Sequence, residues 1–264
     1  MPLTLIDAAC HVLNAADPAE KVRLSAHYGG QWAAGKLQEI GSARPPERPA
    51  RPERPTLCRP GDMKRRRFGS PGGRIAFMHA IAHIELNAID LAWDMVARFT
   101  DEDLPAQFYA DWVGVAADEA RHFQLLADYL NKNAAAYGDL PAHDGLWEAA
   151  HLTSDDILAR LALVPLVLEA RGLDTTPAAI QKLRQNGDTD AAAILKTIGA
   201  EEIPHVAAGV RWFEYICEVR GLEPKATYQD LVRTRFKGTL KAPFATDARA
   251  AAGFDAAWYE PLAG

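Results

Sequence analysis

Cysteine is scarce in this chain. Cys10, Cys58 and Cys217 stand far apart, are odd in number and form no Cys-x-x-Cys, which argues against a disulfide framework and against a thiolate zinc site. No run of about 18 uncharged apolar residues occurs, so no membrane span is expected. The opening segment, MPLTLIDAACHVLNAADPAEKV, lacks a basic lead and carries Asp7 early; it does not read as a signal peptide, and a cytoplasmic location is expected. Positive charge is not in excess either. The formal net charge of −6 disfavours nucleic-acid binding, and the basic run Lys64-Arg65-Arg66-Arg67 reads as a solvated flank ahead of a helix. Segments of strand period bounded by hairpin turns are lacking too, so the expected class is all-α.

What is present is an ordinary globular composition, with 48% apolar and 24% charged residues in 264, enough to bury a sizeable interior. Residues 1–42 read as an N-terminal helical extension. From Ala43 to Pro60 the run ARPPERPARPERPTLCRP contains six prolines, which fix φ and remove donors, so residues 43–70 form a Pro-rich extended arm, either a flexible linker or a strap over the core, ending in the basic run. Residues 71–221 carry four long helical patterns and residues 222–264 a C-terminal extension of one short helix and a tail. The first long helix is RIAFMHAIAHIELNAIDLAWDMVARF; the second follows Pro105 and runs to about Tyr137-Gly138. The third starts at a cap formed by Ser154 with Asp155 and Asp156 and is interrupted at Gly172 and Pro177. The fourth spans Asp188 to about Arg220, closed by Gly221.

Two Glu-x-x-His pairs, Glu119/His122 and Glu202/His205, fall on the second and fourth helices, where a three-residue step places both side chains on one face. With 15 glutamates and 8 histidines in 264 residues, chance alone predicts roughly 0.5 such pairs. A third match, Glu148/His151, lies in the connector, so spacing has to discriminate. Glu85 on the first helix precedes Glu119 by 34 residues, and Glu169 on the third precedes Glu202 by 33. The chain therefore contains two similar helical hairpins, each with its turn near the midpoint and its two glutamates at a matching height. One inward Glu from each of two helices, with Glu-x-x-His from the other two, is the ligand pattern of ferritin-like di-iron and di-manganese carboxylate proteins.

Apolar residues surround these positions, including Ile81, Ala82, Ala88 and Ile89 near Glu85 and Ile198 and Val206 near the last pair. Four carboxylates turned into such a core need compensating charge, and two divalent cations supply it. Carboxylate and imidazole donors without thiolate suit iron first, with manganese or a mixed pair open. Asp118, Arg121 and Glu201 flank the pairs; Asp118 is expected to orient His205, and Glu201 to orient His122. His79 and His83 share a face away from Glu85 and read as packing or substrate-side groups. Pro204 removes a backbone hydrogen bond beside the last pair.

Through MHAIAHIELNAIDLAWD, DEARHF, LEARGLDTTP and EEIPHV, the sequence resembles the ferritin-like superfamily over about residues 73–220, and the uncharacterised ferritin-like family called domain of unknown function 455 over most of its length. The run from Asp118 to His122 also resembles the Asp/Glu-Glu-x-Arg-His motif of bacterial di-iron oxygenases. That resemblance implies an oxygen-activating oxidoreductase of hydroxylase or desaturase type, with two metal ions as cofactor, an unidentified small-molecule substrate and a separate electron-donor reductase. A homodimer is open. Iron storage, or a metal-stabilised binding protein without turnover, is the alternative, because one fold hosts many activities. The residues that would carry out catalysis are not assigned.

Overall fold

The computed structural model describes residues 2–59, 62 and 68–264; the basic run Lys64 to Arg67 lies outside them. Among the described residues the regular structure is helical, with two isolated β-bridges. The chain divides into two compact units, Met1–Trp147 and Glu148–Gly264.

In the first unit, helix α3 (Pro71–Arg98) is central. Residues 85–97 are buried without a break, which explains why its apolar residues do not keep to one stripe: a helix covered on all sides has no solvent face to mark. Ser70 caps it by accepting from the Gly73 N–H, and Pro71 occupies the first turn, where its missing donor costs nothing. Helices α1 (Leu5–Asn14) and α2 (Pro18–Ala33) pack on this unit. Helix α4 (Ala106–Lys132) pairs with α3 through the turn at residues 99–105; it ends at Lys132, short of Tyr137-Gly138. Trp93 Nε1 donates to Ser25 Oγ at 2.8 Å, and Ser25 donates to the Ala116 carbonyl at 2.9 Å, so one hydroxyl ties α2, α3 and α4 together. Helix α3 is long and apolar enough by composition to cross a membrane, but 67% of its most apolar stretch is buried in protein.

Residues 43–59 of the Pro-rich arm form a strap over this unit. Its backbone accepts from Arg98 at Pro46, 2.8 Å, and donates from Ala50 to Leu13, 2.7 Å. Arg51 reaches Asp90 and Asn87 on α3, both at 2.5 Å. Asp90 also takes an ion pair from buried Lys21, whose ammonium burial pushes down in pKa while Asp90 raises it. This segment has no regular secondary structure, so its backbone and side-chain groups are available to bond to α1 and α3.

In the second unit, α6 (Ile157–Leu163), a π-helical turn (Val164–Glu169) and α7 (Ala170–Gln185) form one continuous rod. It is preceded by α5 (Gly145–His151), within which the division between units falls. Its N-cap is Asp156, which accepts from Leu158 N–H at 3.1 Å, rather than Ser154. The expected interruption at Gly172 and Pro177 does not occur: Pro177 sits on the exposed face of α7, and the helix runs through both positions to Gln185. Helix α8 (Thr189–Arg220) packs against α7 and the π turn and ends at Gly221 with φ +65°, a left-handed cap suited to glycine. Pro204 is likewise on an exposed face. The segment 222–264 carries three short helices rather than one, α9 (Pro224–Arg235), α10 (Thr246–Ala251) and α11 (Ala256–Tyr259). Its Tyr228, Phe254 and Trp258 are buried with Phe213 of α8 in an edge-to-face aromatic cluster, so this extension is part of the unit's core.

Candidate metal centre

The first unit brings three predicted ligands together. Glu85 lies on α3, and Glu119 and His122 on α4; they are 4%, 1% and 0% exposed. Ligand atoms of the three lie within 4.8 Å of one another. Helix geometry explains the match in height. Glu85 stands 13 residues before Arg98, the end of α3, and Glu119 stands 13 residues after Ala106, the start of α4, so the two climb equally from the turn. His122 turns Nδ1 toward both carboxylates, 3.2 Å from Glu85 Oε2 and 3.4 Å from Glu119 Oε2. Burial works against a charged ring, but hydrogen bonds to Glu119 and Glu85 and their negative charge outweigh it and push the imidazole up to about 11.

The second unit repeats the local motif. Glu202 and His205 are 8% and 2% exposed on α8, with His205 Nδ1 3.5 Å from Glu202 Oε2. Glu169 closes the π turn and is half-buried. Here the arms differ: Glu169 stands 16 residues before Gln185, and Glu202 13 residues after Thr189, a difference of about 4–5 Å in rise. The π turn, which the sequence pattern did not announce, ends at Glu169, at the head of that longer arm. Its signals were Pro165 in the middle of an apolar helix and Gly209 on α8. A Cβ on Gly209 would lie 2.6 Å from Pro165 Cβ, so the two helices approach at a point where only glycine fits. Such turns concentrate at functional sites.

The third Glu-x-x-His match behaves differently. Glu148 and His151 are both exposed on α5. Asp118 and Arg121 pair with each other at 2.8 Å on the surface of α4, and Glu201 is half-buried on α8. His79 and His83 are buried against Tyr137, with ring planes tilted from it by 18° and 16°. His79 Nε2 accepts from Gly138 N–H at 2.9 Å. His83 Nδ1 lies 2.8 Å from the Tyr137 hydroxyl and Nε2 3.0 Å from the His143 carbonyl. Burial lowers the His83 pKa to about 4, so the neutral ring bridges two partners, accepting from Tyr137 and donating to His143. Both histidines thus fasten the loop after α4 onto α3.

The donor set of each unit suits a hard to borderline divalent cation: buried carboxylate oxygens and an imidazole Nδ1, without thiolate. Two carboxylates held within 4.8 Å in a dry interior repel each other unless a positive charge joins them. The proton on His122 is such a charge, and a metal ion coordinated by the same three groups is the alternative.

No solved structure matches the chain. A protein of Haemophilus influenzae described as "Uncharacterized protein" is 40% identical over 252 residues, covering 92% of this chain and 88% of the relative. The family described as "Protein of unknown function (DUF455)" matches residues 14–260, and the chain, sharing its sequence pattern from the end of α1 to α11, belongs to that family.

Proposed function

We propose that Glu85, Glu119, His122, Glu169, Glu202 and His205 hold a pair of metal ions in the manner of ferritin-like proteins, and that the protein is an oxygen-activating oxidoreductase acting on a small organic substrate. The observation that carries this reading is the repetition of one local geometry. Each hairpin presents a buried Glu-x-x-His with histidine Nδ1 turned to its own glutamate, at 3.4 Å in one unit and 3.5 Å in the other. Each also has a further Glu 34 or 33 residues upstream. Glu85, Glu119 and His122 would hold one ion and Glu169, Glu202 and His205 the other, so four carboxylates balance two divalent charges and leave a neutral interior. The ions, iron first and manganese or a mixed pair second, would supply the capacity to reduce dioxygen and oxidise the substrate, with electrons returned by a separate reductase.

The protein's own part is positional. Apolar neighbours exclude water, the α3–α4 pairing fixes Glu85 against Glu119, and the exposed Asp118 and half-buried Glu201 are the candidates for orienting the imidazoles from outside. The protein should bind about two ions per chain. Glu119→Ala and His205→Ala should each lower metal content sharply, whereas Glu148→Ala and His151→Ala should leave it unchanged. Loaded with ferrous iron without oxygen and then exposed to it, the protein should oxidise about two irons per chain and stop until a reductant is added. Continued uptake of many ions into a ferric core would instead favour storage.

A further inference from the structure

We infer that the second unit contains a binding site for a small organic carboxylate. It lies in a cavity of about 120 Å³ between the π turn with the start of α7 and the segment joining α9 to α10. Its floor is apolar, formed by Val167, Leu168 and Phe244; its charged lining is Arg171, Lys241 and Arg249 against one acid, Asp174.

The acid is already saturated. The Asp174 side chain is fully buried and accepts from Arg249 Nε at 2.9 Å, Arg249 Nη2 at 2.8 Å and the Ala245 N–H at 2.9 Å. Two positive charges are therefore left over at the cavity. Arg249, 2% exposed, is clasped by Phe244, Phe254 and Tyr259, its guanidinium carbon 4.4 Å from the Tyr259 ring centre. Its buried Nη1 has no hydrogen-bond partner among the described residues, a donor that is costly to leave unmatched. Arg171 commits Nη1 to the Lys241 carbonyl at 2.6 Å and to Asp174 at 3.4 Å, which fixes the guanidinium at the wall.

The segment itself is anchored on both sides, because Ala245 N–H reaches Asp174 and the Leu240 carbonyl accepts from Gly264 at 3.1 Å. The cavity is thus built into the packing of the unit. Excess positive charge with fixed donors selects an anion. The apolar floor and small volume select one whose charge sits at one end of a short hydrocarbon or aryl group, and a planar carboxylate matches the guanidinium fork. Inorganic phosphate, polar on every side, would leave the floor unsatisfied. This inference does not depend on the metal reading, although Val167 and Leu168 immediately precede Glu169.

Calorimetric titration of the full chain with hexanoate and benzoate tests it, against hexan-1-ol and inorganic phosphate. Saturable binding of the carboxylates, at least about tenfold weaker in Arg171→Gln and Lys241→Gln, is expected. Both substituted side chains are at the surface, so folding should survive; Lys196→Gln on α8, outside the cavity lining, serves as the control and should bind like the parent. Absent binding, carboxylate binding unmoved by Arg171→Gln and Lys241→Gln, or phosphate as tight as hexanoate would overturn the assignment. Metal content measured on the same samples separates this outcome from failure of the metal centre.

Discussion

His122 Nδ1 sits 3.2 Å from Glu85 Oε2, joining α4 to α3 inside the first unit. The contact makes the metal-free protein's proton inventory a readout of the site. The folded value of about 11 lies above the ordinary 6.5, so the stabilisation from the protonated ring is complete below pH 6.5 and is lost as pH rises toward 11. Metal binding at pH 7.5 should then expel about one proton from His122. Titrating metal into the protein in two buffers of different ionisation enthalpy measures this. His122→Gln should remove the difference between buffers; equal heats for the parent protein would disprove the protonated ring.

Asp118 and Arg121 offer a separable test of outer-sphere orientation. Their ion pair is 39% and 45% exposed, so breaking it should cost under about 1 kcal/mol of stability. If Asp118 orients an imidazole, Asp118→Asn should weaken metal affinity by about 10- to 100-fold, while Arg121→Gln leaves it near the parent value. Equal, small effects from both would reduce Asp118 to a surface partner of Arg121.

Asp90 receives Lys21 and Arg51 with its carboxylate fully buried. Asp90→Ala would strand a buried ammonium and should destabilise the protein by about 3–5 kcal/mol, read as a lower urea midpoint. Lys21→Met combined with Asp90→Leu should recover much of that loss. Arg51→Ala, which keeps the Lys21 pair, should instead loosen the arm, and limited proteolysis should cut within residues 43–59 sooner than in the parent.

Gly209→Ala places a Cβ 2.6 Å from Pro165. Overpacking here should cost about 1–3 kcal/mol. Because the strain falls on the turn that ends at Glu169, metal content should drop more than in Gly114→Ala, whose Cβ meets nothing within 4 Å. Parallel melting curves and metal analysis distinguish loss of the fold from loss of the site.

His83 carries the opposite sign from His122. Its folded value of about 4 lies below 6.5, so its neutral ring supports the fold above pH 6.5. That support is lost as pH falls from 6.5 toward 4, by at most about 1.4 kcal/mol per pH unit. Urea midpoints of the parent should fall across that window more steeply than those of His83→Gln.

Local sequence determined the helices and the two hairpins, because caps such as Ser70 and Gly221 and the apolar periodicity of α4 act within a turn or two. It also placed Glu119 beside His122 and Glu202 beside His205, since a three-residue step on a helix is fixed by the 3.6-residue period. The same step at Glu148/His151 gives an exposed pair, and only packing separates the two cases, because periodicity says which residues share a face but not what covers it. The strap's attachment through Arg51 and the unbroken rod through Pro177 were decided by tertiary contact. So were the π turn beneath Gly209 and the basic cavity around Arg249, which joins residues about 80 positions apart. Such features depend on close approach between distant segments, and no local propensity records that distance.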